Sequence, residues 1–146
     1  MTLSIIIPVY NEKKTILELL HRVVRVDFPY SYEIIIIDDG SNDGSQNILR
    51  NLSATDFVSG QAPIKTFFLS QNQGKGSSLR YGFQKAQGEI IVVQDADLEY
   101  NPQDILKLVQ PILDGKSNIV YGSRVLADTC RPSHYLFYFG FSTEPK

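Results

Sequence analysis

The sequence predicts an α/β fold built on a mostly parallel sheet. Short runs rich in β-branched residues alternate with segments whose apolar residues recur at helical spacing, from Leu3 to Tyr121. Those runs are apolar at consecutive positions, as in strands buried on both faces. Polar residues capable of chemistry follow directly after the strands, where open parallel sheets bind ligands. With 146 residues, 42% of them hydrophobic and 21% charged, the chain can bury one ordinary core. A net charge of −2 offers no bulk attraction for nucleic acid, so no such partner is expected and an anionic ligand needs a local site. Cys130 is the single cysteine, which excludes an internal disulfide. MTLSIIIPVYNE lacks the basic flank and cleavage site of a signal peptide, and no apolar run reaches the ~18 residues of a membrane span. A cytoplasmic location is expected.

The first strand is Leu3 to Val9. Asn11 is positioned to cap a helix carrying Ile16, Leu19, Leu20, Val23 and Val24, which should stop before Pro29. Tyr32 to Ile37 is the second strand, ending at Asp38 and Asp39. GSNDG is turn chemistry, and Asp43 can cap a helix with Ile48, Leu49 and Leu52. Ile64 to Leu69 is the third strand. A loop, SQNQGKG, leads into a helix over 74–87 with Leu79, Phe83 and Ala86 inward. Glu89 to Gln94 is the fourth strand. Asn101 then caps a helix with Pro102 at its first position. Pro111 should kink or end that helix, and Gly115 marks the stop. Ile119 to Tyr121 is a short fifth strand.

The fourth strand runs into Asp95, Asp97 and Glu99, alternating with Ala96, Leu98 and Tyr100. An extended chain would put the three carboxylates on one side, where they repel each other unless a divalent cation compensates. Hard oxygen ligands suit Mg²⁺ or Mn²⁺. An acidic surface turn is the plainer alternative. Lys75 lies between Gly74 and Gly76 at a helix N-terminus, which can face an anion, or simply form a solvated turn. A Walker A loop fails because Leu69 and Gly76 stand where glycine and Ser/Thr are needed. The dinucleotide fingerprint fails at Leu79. Asp38 and Ser41 can satisfy turn amides, and an aspartate at this strand end can also accept from a base or ribose. Tyr10 can stack on a base or plug the sheet edge. His21 and His134 have no partners at ligand spacing and read as structural.

Taken in order, IIIPVYNE (5–12), IIIIDDGSNDG (34–44), NQGKGSSLRYGF (72–83), GEIIVVQDADLEYNPQDILKLVQPILDGK (88–116) and IVYGSR (119–124) resemble the family 2 glycosyltransferases of GT-A fold, nearest the dolichyl-phosphate mannose synthase branch. The resemblance implies that Pro8, Tyr10 and Glu12 line a nucleoside pocket, with Ile37 and Asp39 near the base. It implies that Asp95 and Asp97 carry the metal against the diphosphate, with Glu99 as a further ligand and Ala96 beside the ribose and phosphates. Arg124 would pair with the sugar-diphosphate or the acceptor phosphate and act in catalysis with Asp97, and Lys75 would bind the nucleotide sugar. The implied reaction is inverting transfer of a hexose, mannose or glucose, from GDP-mannose or UDP-glucose to a polyprenyl phosphate. An acceptor phosphate with a second pKa near ~6 is already dianionic at neutral pH and needs no side-chain base.

Past Arg124 the resemblance fades. Residues 1–124 read as the nucleotide-sugar core, and 125–146 as the start of an acceptor or membrane-proximal segment of a truncated chain. The aromatic run YLFYFGF (135–141) would pack on the sheet, meet a membrane or partner surface, or lack its cover. Three rival readings remain: a nucleotide-sugar-binding fragment without turnover, a sugar nucleotidyltransferase, and a flavodoxin-type phosphoacceptor domain. PVYNE in place of a glycine-rich, arginine-bearing loop argues against the second. The third would have a lysine at the end of the fifth strand, where Arg124 stands.

Overall fold

The computed structural model describes residues 1–52, 62–122 and 140–142. Its strands are β1 (Thr2–Val9), β2 (Ser31–Asp38), β3 (Ile64–Phe68), β4 (Ile90–Val93), β5 (Ile119–Val120) and β6 (Gly140–Ser142). The helices are α1 (Ile16–Val24), α2 (Ser45–Arg50), α3 (Lys75–Lys85) and α4 (Asp104–Leu113). The sheet order is β3-β2-β1-β4-β6-β5. The first four strands are parallel, and β6 runs antiparallel to both β4 and β5.

The path explains where the helices lie. From β1 through β3 the chain steps outward in one direction, then returns across the sheet to place β4 on the other side of β1. Right-handed crossovers put helices on opposite faces when the direction reverses. Accordingly Leu3, Ile5, Ile7, Ile34 and Ile36 pack with Ile16, Leu19, Leu20 and Val23 of α1 and Leu49 of α2. On the other face Ile6, Ile35, Ile37 and Ile91 meet Leu79, Phe83 and Ala86, on and just after α3. Alternate residues of one strand thus serve different faces. The inward residues of this helical segment are those its periodicity predicts.

Pro8 decides where the sheet opens. Gln94 N donates to Ile6 O at 2.9 Å, and Ile6 is aligned with Val93. The next rung of this parallel ladder needs an N–H at residue 8, which proline lacks. The ladder ends there, and Asp95 to Asp97 are released from the sheet.

Three details depart from the sequence expectation. Asn11 does not cap α1, which begins after Thr15. Thr15 Oγ1 instead donates to Glu12 Oε2 at 2.6 Å, and the Glu12 carbonyl accepts the Thr15 and Ile16 amides. Pro111 does not end α4. The one lost bond would have gone to Lys107, an exposed residue that water can reach, and the helix runs on to Leu113, just before Gly115, whose φ is +68°. A sixth strand is present, and it is inserted between β4 and β5. β6 itself comes from the segment that the sequence sets apart at 125–146. No described helix is long and apolar enough to cross a membrane.

The amino ends of the strands are tied by Glu33, a buried carboxylate on β2. It accepts from Ser4 Oγ on β1 at 2.7 Å, from Lys65 Nζ on β3 at 2.8 Å and from the Gln87 amide before β4 at 2.8 Å. Burial alone would raise its pKa. The hydrogen bonds from Lys65, Ser4 and Gln87 outweigh that and hold it below the ordinary 4.5. A depressed carboxylate contributes stability above its unfolded pKa and loses it as pH falls through the folded value. Glu33→Gln is therefore expected to cost about 1–3 kcal/mol at pH 7. It should also flatten the fall of stability below pH ~4.5, read from urea midpoints across pH.

Candidate functional site

A cavity of about 300 Å³ opens at the carboxyl edge of the sheet, where the chain path reverses between β1 and β4. Pro8 and Val9 of β1 and Tyr10 just beyond it form part of the wall, and Glu12 follows from the next loop. Asp39 comes from the end of β2. Asn72, Gly74, Lys75 and Ser78 come from the β3–α3 loop and the start of α3. Asp95, Ala96 and Asp97 follow β4.

The loops around this cavity are fastened to one another by side chains. The Asn11 amide donates to Ser41 Oγ at 2.9 Å, and Asn11 Oδ1 accepts from the Asn42 amide at 2.9 Å. Asp43 Oδ2 accepts from the Lys13 amide at 3.0 Å, while its Oδ1 takes the Ser45 amide and hydroxyl at the start of α2. Asn11 accordingly sits at φ +59°, a conformation asparagine tolerates better than most residues. These bonds join the loops after β1 and β2 into one unit.

Asp39 extends this unit to the third loop. Its side chain is buried, with Oδ1 accepting from the Gln73 amide at 3.0 Å and Oδ2 from the Gly74 amide at 2.8 Å. Gly40 allows the close approach: a Cβ there would lie 2.7 Å from the Gln71 carbonyl carbon, and its φ is +71°. Asp38 satisfies its own turn, accepting from the Ser41 amide at 3.0 Å and Gln46 Nε2 at 2.8 Å. The two adjacent aspartates thus have different tasks.

After β4 the chain does not stay extended. Leu98 has φ +65°, and Asp97 Oδ1 accepts the Glu99 amide at 3.0 Å, a side-chain turn. The alternation needed to align three carboxylates is broken at that turn. Asp95 and Asp97 reach the cavity and Glu99 does not line it. Among the described residues no group of three or more His, Cys, Asp or Glu could hold a metal ion.

Lys75 Nζ lies 2.6 Å from Asp95 Oδ1 and 2.7 Å from Oδ2. A cation is therefore seated across both oxygens of Asp95. Two hard carboxylates on one cavity wall, one already holding a positive charge, fit a divalent cation that takes its remaining ligands from a phosphate group and water.

Of the residues singled out from sequence, Pro8, Tyr10, Glu12, Asp39, Lys75, Asp95, Ala96 and Asp97 share this one cavity. Ile37 does not line it; its side chain is buried against α3. Arg124 lies outside the described residues. Sequence reasoning gave no role to Asn72 or Ser78. The signal for Ser78 is the small-residue spacing Gly74, Ser78, Gly82, which lets α3 approach the sheet so closely that a Cβ at Gly82 would lie 2.7 Å from Ile6 Cγ2.

Residues 4–139 match the family described as Glycosyl transferase family 2. The chain belongs to that family. It is 38% identical over 109 residues to an undecaprenyl-phosphate 4-deoxy-4-formamido-L-arabinose transferase of Pseudomonas fluorescens, covering 73% of this chain and 31% of that one. It is 36% identical over 124 residues to a dolichol-phosphate mannosyltransferase of Pyrococcus furiosus, covering 85% and 33%. The chain therefore spans about a third of the length of these relatives. Its fold is the GT-A type. A similar solved structure is mannosyltransferase PcManGT from Pyrobaculum calidifontis in complex with GDP-Man and Mn2+, with a TM-score of 0.62 and 30% identity, over 71% of this chain and 30% of that one.

Asp39→Asn tests the loop clamp. An amide has one acceptor oxygen, so either the Gln73 or the Gly74 N–H would face an NH₂ group. The expected result is a loss of about 1–2 kcal/mol, with faster hydrogen exchange at those two amides and little change at Glu33.

Proposed function

We propose that this domain binds a nucleotide-diphosphate sugar together with Mg²⁺ or Mn²⁺ and serves transfer of the sugar, a hexose such as mannose or glucose, to a polyprenyl phosphate. One observation carries the reading. The cavity wall holds four carboxylates, Glu12, Asp39, Asp95 and Asp97, against the single ammonium of Lys75. Such a wall repels a diphosphate unless a divalent cation reverses the local charge. Family membership supports the same reading, as do the GDP-Man and Mn2+ held by the Pyrobaculum mannosyltransferase.

The chain's own residues then divide the work. Tyr10 is 45% exposed at the mouth and offers a ring face to a nucleobase. Asp39 fixes the 72–74 loop that forms the opposite wall, and its spare lone pairs can accept from a base N–H. Asp95 and Asp97 would hold the cation, which when bound supplies charge neutralisation to the leaving diphosphate. The acceptor phosphate oxygen forms a bond to the anomeric carbon as the bond to the nucleotide diphosphate breaks, with inversion. An acceptor already dianionic has no proton to surrender, and no general base is required of the chain. The polyprenyl acceptor would bring the protein to a membrane surface on its cytoplasmic side.

The domain is expected to bind UDP or GDP by calorimetry only when Mn²⁺ is present. Asp97→Asn should weaken that binding at least tenfold, a loss of about 1.4 kcal/mol or more. Equal affinity with and without the metal, or in the variant, would defeat the proposal.

A further inference from the structure

Lys75 is placed where the proposed cation would go. Its ammonium bridges Oδ1 and Oδ2 of Asp95 at 2.6 and 2.7 Å, and so occupies the lone pairs that a divalent ion would use. Two cations cannot share that carboxylate face without strong repulsion. The carboxylate is mostly buried, with a side-chain exposure of 15%, whereas that of Lys75 is 55%. The fixed partner is Asp95 and the mobile one is the lysine.

The surroundings of Lys75 favour movement. It opens α3, an 11-residue helix with no acidic residue in its first turn. A positive charge at that end is disfavoured by the helix dipole, so the residue adds nothing to the helix there. Gly74 and Gly76 flank it, and a Cβ at either would meet nothing within 4 Å. The Lys75 side chain is itself 55% exposed, so most of its four-carbon stem lies in solvent and not in the core. A phosphate group arriving at the same cavity would meet both the released ammonium and the positive end of α3.

We propose that Lys75 is the resident counter-ion of Asp95 in the cation-free protein and exchanges with the divalent cation. On exchange the ammonium transfers to the diphosphate of the donor. The inference rests on the donor-binding reading above and adds a consequence to it. Cation alone binds weakly, because it must displace the lysine. Cation and nucleotide together bind cooperatively, because the displaced lysine gains a new anionic partner.

The test is Mn²⁺ binding to the full 146-residue chain, followed by loss of the free-ion electron paramagnetic resonance signal, alone and with UDP or GDP. Lys75→Met should bind Mn²⁺ alone about three- to tenfold more tightly than the wild type. The enhancement of Mn²⁺ binding by the nucleotide should shrink by a similar factor. Lys75→Arg keeps the charge and should stay within about twofold of the wild type. Unchanged thermal unfolding shows that each variant is folded. Equal or weaker Mn²⁺ binding by Lys75→Met overturns the exchange. If Mn²⁺ uptake is lost in Asp97→Asn but unmoved in Lys75→Met, the donor reading stands and the exchange alone fails. A wild-type chain that takes up no Mn²⁺ even with UDP and GDP defeats both.

Discussion

The carboxylate of Asp39 is the constraint on which the cavity depends. It is buried at the end of β2, and each of its oxygens is committed to a main-chain amide of the loop before α3. That fixes the start of α3, and with it the reach of Lys75 to Asp95. At the other end of β2, Glu33 plays the same part for the strand beginnings. A buried carboxylate is costly unless its acceptors are filled. Here the filling groups come from elements far apart in sequence, so the cost of burial becomes a requirement for correct assembly.

Placing the cavity at the reversal point solves a problem of space. Between β1 and β4 the connections leave in opposite directions, and a crevice remains that helices do not fill. Pro8 widens it by ending the β1–β4 ladder one rung early. Asp95 to Asp97 then hang free of the sheet while Gln94 is still held in it. The acidic side chains are thus carried by a short segment anchored at its root, which limits how far mutual repulsion can push them apart.

Most of the sheet was legible because doubly buried strands announce themselves as β-branched runs, and most of the cavity lining because its residues follow those strands directly. What was not legible depended on long-range partners. Asn11 looks like a helix cap locally, and only the loop after β2 gives it a better use. Glu33 sits inside an apolar run with no sequence cue that Ser4, Lys65 and Gln87 will surround it. The alternation of Asp95, Asp97 and Glu99 is real in the sequence, yet a single left-handed residue, Leu98, removes Glu99 from the wall. Lys75 is expected to face a ligand's phosphate, and no local cue announces the partner that the structure gives it, Asp95.

The insertion of β6 has a consequence for synthesis. β4 exposes its outer edge from the moment it docks on β1, and the strand that covers it is made only when residues 140–142 are added. At roughly 5–20 residues per second, some fifty residues take a few seconds to emerge from a ribosome. β5 is made before β6, which is its one strand neighbour among the described residues. Until then the apolar edge of β4, Ile90 to Val92, lacks its partner β6 for longer than hairpin or helix formation takes.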